Sequence, residues 1–78
     1  MKIVIYGHKG CGSCKKATQY AESLLNNGDV ETFEFKDVSI KENLQELYRL
    51  IGSEVKTIPV IFINGRLGSL ENLKALAD

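Results

Sequence analysis

The chain has no tryptophan, one proline, one histidine and only two cysteines among its 78 residues. Cys11 and Cys14 stand three positions apart. Joining them closes so short a loop that chain entropy gives at most about 2 kcal/mol before strain. Small secreted domains use several bridges over longer loops, so a structural staple is the weaker explanation. One histidine beside two cysteines leaves a structural zinc cage incomplete unless a second chain contributes. Long apolar runs are also missing. Residues 3–6 and 58–63 are the longest and are too short to span a bilayer. No apolar secretory stretch with a small-residue cleavage site follows Lys2, and a cytoplasmic location is expected. Ten basic and ten acidic residues leave no net charge and no dense basic patch, which argues against nucleic acid as the main partner.

What is present describes a small soluble globule: 44% hydrophobic and 26% charged residues. The length suits a single domain over residues 1–78, without linker, repeat or low-complexity tract. The charges are unevenly spread. Residues 1–16 hold Lys2, Lys9, Lys15 and Lys16 and no acid, whereas residues 17–54 hold eight acids against three bases. Both cysteines lie in the basic part.

Hydrophobic spacing gives the order of elements. Residues 2–6 form an apolar run suited to a strand covered on both faces. A glycine-rich connection over 7–12 leads to a helix from about Ser13, with Cys14, Ala17, Ala21, Leu24 and Leu25 on its apolar side. Asn26-Asn27-Gly28 suits a left-handed stop. Residues 30–38 alternate, with Phe33 and Phe35 on one face, and predict a second strand. Asp37 or Ser39 can cap a helix whose apolar side is Ile40, Leu44, Leu47, Tyr48 and Ile51, and Gly52 ends it. Pro59 precedes the apolar strand 60–63. Asn64-Gly65 predicts a tight hairpin, with residues 66–68 returning as an edge strand. Ser69 then caps a last helix carrying Leu70, Leu73 and Leu76. The order β-α-β-α-β-β-α implies an α/β fold: a four-stranded mixed sheet flanked by three helices lying on both of its faces.

Thiol–disulfide exchange needs a thiolate nucleophile and a second thiol placed to attack the mixed disulfide. C-x-x-C at a helix start supplies both. Cys11 falls where unpaired backbone N–H groups and the positive helix end favour a negative sulfur. Cys14 falls one turn inside, on the apolar side. Lys9, Lys15, Lys16 and His8 add positive potential. Cys11 is therefore expected to attack and Cys14 to resolve. The competing readings are half of a metal site and two unrelated small buried cysteines, and the strand–turn–C-x-x-C–helix context favours redox chemistry over both.

Three segments resemble the signatures of the glutaredoxins, in the right order and over nearly the whole chain: Val-Ile-Tyr-Gly-His-Lys-Gly-Cys-Gly-Ser-Cys (4–14), Thr57-Ile58-Pro59-Val60, and Gly68-Ser69-Leu70-Glu71-Asn72-Leu73. The size and opening segment are most similar to the short dithiol glutaredoxins of bacteria and phages. The resemblance implies the thioredoxin fold, with Pro59 as its cis-proline opposite the cysteines. It implies glutathione as co-substrate and no tightly bound cofactor. Ile58, after Thr57, would pair its backbone with the cysteinyl part of glutathione. His8, or Lys9 beside it, would meet a carboxylate. Ser69, Glu71 and Asn72 at the last helix start would receive the γ-glutamyl end, unless they serve only as an ordinary cap. Disulfide-containing proteins would be the clients, ribonucleotide reductase among them, with the chain acting as a monomer.

Gly12-Ser13 stands where the family commonly has proline-tyrosine, which loosens the turn and leaves only the Ser13 hydroxyl as a contact. Glu71 puts negative charge where a carboxylate would sit. Two alternatives follow from the family. One is a redoxin recycled by thioredoxin reductase. The other is a glutathione-ligated [2Fe–2S] cluster shared by two subunits through Cys11, as in some members lacking proline after the first cysteine.

Overall fold

The computed structural model describes residues 1–52 and 57–77. Strand β1 (Lys2–Gly7) occupies the middle of a four-stranded sheet. It pairs in parallel with β2 (Thr32–Asp37) and antiparallel with β3 (Val60–Ile63), which pairs in turn with the edge strand β4 (Arg66–Gly68). Parallel neighbours need a crossover, and helix α1 (Gly12–Asn26) supplies it between β1 and β2. Helix α2 (Lys41–Ile51) connects β2 to β3, and α3 (Leu70–Ala77) follows β4.

The period of two in β1 divides its side chains between the faces. Ile3 and Ile5 are fully buried with Ala17, Ala21 and Leu24 of α1, Ile61 of β3 and Leu73 of α3. Two alanines on the inner face of α1 let that helix lie close to the sheet. Tyr6 belongs to the other face. Its hydroxyl donates to Glu46 of α2, and Lys36 of β2 donates to the same Oε1 at 2.5 Å. The Tyr6 ring meets Phe62 edge-on, at 5.8 Å between centroids.

Lys36 and then Tyr6 hold the Glu46 carboxyl below its ordinary range. The contribution of this carboxylate to stability is therefore full above the unfolded pKa and is lost as pH falls through the depressed value. Half exposure and solvent screening keep it modest.

The hairpin forms as its residues demand: Asn64 and Gly65 both have positive φ, 54° and 80°, as a two-residue primed turn requires. Gly52 ends α2 at φ 70° with its N–H donating to the Tyr48 carbonyl.

Other expectations need correction. Neither Asp37 nor Ser39 caps α2. The N-cap is Ile40, which has no side chain to accept the hydrogen bond. Asp37 belongs to β2, and its Oδ1 is taken by the Ser39 N–H at 2.8 Å, closing a local turn that delays the helix. Ile40 and Tyr48 are exposed because α2 meets the sheet chiefly over β2, leaving Leu47 as its one buried residue among those described. Leu25 and Leu76 are exposed as well, each at the margin of its helix stripe near a helix end.

Leu73 is the buried anchor of α3. Leu73→Ala is expected to lower unfolding free energy by about 2–5 kcal/mol, read as a lower denaturant midpoint at unchanged slope.

Candidate active site

The loop from β1 to α1 is tied by its own backbone. The Cys11 N–H donates to the His8 carbonyl at 3.1 Å, and the Gly10 N–H donates to His8 Nδ1 at 3.1 Å. Cys11 is extended (φ −92°, ψ 121°) and is the N-cap of α1, which begins at Gly12. Its Sγ accepts the Cys14 N–H at 3.2 Å, the role a serine or aspartate oxygen usually fills. No acid occupies the first turn to oppose a negative sulfur. Cys14, one turn on, is buried at 1% exposure, whereas Cys11 is partly exposed.

This geometry separates the two thiols. The Cys14 thiol, followed by the backbone N–H groups of Cys14 and Ser13, holds the Cys11 thiol below its ordinary value against a smaller opposing cost of desolvation. Burial, then the hydrogen bond with Cys11, pushes the Cys14 thiol up to about 11. When the pair first ionises, the thiolate is therefore carried by the more exposed sulfur, Cys11.

Register brings a second segment to the same end of the sheet. Tyr6 pairs with Val60, so Pro59 stands level with Gly7, where the cysteine loop begins. The Ile58-Pro59 peptide bond is cis. Ile58 and Pro59 are half-buried and Thr57 is exposed. Ile61 pairs with Gly68, which puts Ser69 level with Val60 at that end too. His8, Lys9 and Ser13 are exposed around Cys11. Asn72 is engaged locally: its Oδ1 accepts from the Ser69 N–H and hydroxyl, each at 3.0 Å, while Ser69 Oγ accepts the Asn72 N–H at 3.2 Å. These two residues thus form a reciprocal cap of α3, with Glu71 exposed in its first turn.

Sequence reasoning placed His8, Lys9 and Lys15 around the cysteines but missed Thr18 and Phe35 beside Cys14. His8, Lys9, Lys15, Thr18 and Phe35 line a depression of about 290 Å³ over it. The Thr18 hydroxyl donates to the Cys14 carbonyl at 2.9 Å. The i+4 spacing of Thr18 was an available signal. Among the described residues, no three His, Cys, Asp or Glu side chains gather to hold a metal, and no helix is long and apolar enough to cross a membrane.

A mixed sheet in the order β2-β1-β3-β4, a dithiol at the start of the first helix and a cis-proline beside it define the thioredoxin-like class. Structural likeness agrees. The three-dimensional structure of reduced Escherichia coli glutaredoxin superposes with a TM-score of 0.76 at 29% identity, over 97% of this chain and 92% of that one. Glutaredoxin 1 from Francisella tularensis, complexed with cacodylate, gives 0.63 at 25% identity, over 99% and 92%. In sequence, the chain is 34% identical to a Haemophilus influenzae glutaredoxin over 80 residues, covering 97% of this chain and 90% of that protein. Residues 3–67 match the family model of the glutaredoxins, and the chain belongs to that family. Its class of activity is thiol–disulfide oxidoreduction, for which the family uses glutathione as reductant.

The thiol asymmetry can be read by alkylation. Iodoacetamide is expected to modify Cys11 first, with a rate that falls about tenfold per pH unit below a midpoint lower than the free-thiol value of ~8.5. Cys14 should stay unmodified until the solution approaches pH 11. Peptide mapping across pH checks both, and equal rates at the two cysteines would contradict the asymmetry.

Proposed function

We propose that Cys11 is the attacking thiol and Cys14 the resolving one in a glutathione-linked electron carrier that reduces protein disulfides and glutathione mixed disulfides. The observation that carries this reading is the Cys11 sulfur at the N-cap of α1, accepting the Cys14 N–H, with Cys14 buried directly behind it. Cys11 thiolate attacks the accessible sulfur of the substrate disulfide, forms a mixed disulfide and expels the other sulfur as thiolate. Cys14 then loses its proton and attacks Cys11 Sγ, which closes the internal disulfide and releases the second substrate sulfur. Two molecules of glutathione restore the dithiol and leave as glutathione disulfide.

Thr57, Ile58 and Pro59, standing beside the loop that carries the cysteines, support a docking groove. There the Ile58 backbone pairs with the cysteinyl backbone of glutathione. His8, Lys9 and Ser13 meet a glutathione carboxylate on the loop side, and the α3 start at Ser69, Glu71 and Asn72 meets the γ-glutamyl end. The Ser69–Asn72 cap already uses two of the donors there, and exposed Glu71 repels a carboxylate, so this end of the groove contributes weakly. The reading extends to a monomer of one domain in the cytoplasm. Ribonucleotide reductase belongs among its candidate clients by family analogy alone.

Cys11→Ser is expected to abolish reduction of a glutathione mixed disulfide. Cys14→Ser is expected to accumulate a Cys11–glutathione adduct visible by intact-mass spectrometry. Retained activity in the first variant, or no adduct in the second, would reverse the assignment.

A turnover assay separates the reductants. Glutathione with glutathione reductase is expected to sustain repeated cycles. Turnover with thioredoxin reductase alone would make the chain a redoxin of the other kind, and a brown protein on anaerobic purification would favour the cluster-binding alternative.

A further inference from the structure

Gly7 is the last residue of β1, and neither its φ nor a turn calls for glycine there. The glycines with positive φ are Gly28, Gly52 and Gly65. Space is the constraint instead. A Cβ built on Gly7 would stand 2.7 Å from Cys14 Sγ, 3.1 Å from Cys14 Cβ and 3.3 Å from Cε2 of Phe35. The first distance is far inside van der Waals contact. The missing side chain of Gly7 is thus the volume in which the Cys14 sulfur sits.

That volume fixes more than packing. Cys14 is held from behind by its place on the buried face of α1, and its carbonyl is held by Thr18. With Gly7 of β1 lying against it, the sulfur has little room to leave its position beside Cys11, whose own sulfur is tied to the Cys14 N–H. A methyl group at position 7 would drive Cys14 to another χ1 or push the first turn of α1 outward. Either move changes the line along which Cys14 must approach Cys11 Sγ.

We infer that Gly7 is a positioning residue for the resolving thiol: by leaving room for Cys14 Sγ, it sets the rate at which a Cys11 mixed disulfide closes to the internal disulfide. The step is a balanced exchange. With glutathione disulfide as oxidant, Cys11 thiolate forms Cys11–S–S–glutathione and releases one glutathione thiolate. Cys14 thiolate, its proton given to solvent, then attacks Cys11 Sγ and releases the second. Two protein thiols are oxidised and one glutathione disulfide is reduced. The inference rests on the proposed roles of Cys11 and Cys14.

The experiment mixes reduced protein with glutathione disulfide, quenches with acid at intervals and follows the Cys11 adduct by mass spectrometry. Gly7→Ala is expected to lengthen the adduct lifetime about 10- to 100-fold, the scale on which a misplacement of about 1 Å slows an intramolecular step. An unchanged lifetime overturns the inference. If no adduct ever forms at Cys11 in the unsubstituted protein, the assignment of the thiols fails instead.

Thermal melting of the reduced forms covers the case in which Gly7→Ala folds poorly. Cys14→Ala removes the sulfur that the new methyl would strike. The drop in Tm caused by Gly7→Ala should therefore shrink clearly when Cys14→Ala is already present. An equal drop in both backgrounds would mean that Phe35 or the backbone is what position 7 must clear, and would equally overturn it.

Discussion

The hydrogen bond from the Cys14 N–H to Cys11 Sγ is the interaction on which the rest of the site depends. It exists because α1 begins one residue after Cys11, so that the sulfur occupies the N-cap and faces N–H groups that have no partner inside the helix. The same bond fixes the orientation of the pair. An N-cap residue lies outside the helix, and a residue three positions later lies on whichever face the helix turns inward. Here that face is the one lined by Ala17, Ala21 and Leu24, so packing of the core settles which thiol is buried. Burial and helix-end electrostatics then act in opposite directions on two chemically identical groups.

The sheet supplies the other half of the arrangement. β1 is central, and both neighbours start or end at the level of Gly7, which gathers the cysteine loop, the cis Ile58-Pro59 bond and the start of α3 at one end. The cysteine loop is remote in sequence from the other two, which flank the β3–β4 hairpin. On the opposite face the Tyr6–Glu46–Lys36 group joins α2 to β1 and β2 through polar contacts where apolar burial is thin. The fold thus divides its labour: one face carries the apolar core and the dithiol helix, and the other holds α2 with a single buried leucine among the described residues.

Much of this was legible beforehand, and for identifiable reasons. Period-two and period-3.6 patterns are strong in β1 and α1, and Asn64-Gly65 admits few backbone geometries, so element order, hairpin and helix stop at Gly52 follow from local chemistry. The burial of Cys14 follows from the same stripe as Ala17 and Ala21. What local reasoning got wrong lies where two local rules compete. Asp37 can cap a helix or close a turn with Ser39, and the end of β2 decides for the turn. Ile40, Tyr48 and Leu76 have the spacing of core residues, but a four-stranded sheet offers too little area to cover them. Glycine at position 7 reads as part of a loose connection. Only the third dimension reveals that Cys14 fills the space beside it.

Asymmetry also bears on how the oxidised pair would be opened under the proposed order of attack. An incoming thiolate can strike either sulfur of the Cys11–Cys14 bridge. Leaving-group chemistry favours attack on Cys14, because Cys11 is the better-stabilised thiolate and the thiol of lower pKa leaves faster. Access favours the reverse: an external sulfur must approach along the S–S axis, and Cys14 is buried on the inner face of α1 with Gly7 of β1 close against its sulfur. A leaving-group preference changes a rate by a graded factor, whereas burial of Cys14 at 1% exposure leaves Cys11 as the sulfur an external thiolate can reach. Cys11 is then the entry point for reduction as well as for attack, and the price is a poor leaving group in Cys14. Departure of Cys14 becomes easier if it is protonated as it leaves, which its raised pKa favours near neutral pH. One packing constraint thus makes Cys14 slow to ionise and quick to take up its proton, while keeping both directions of the exchange on the same exposed sulfur.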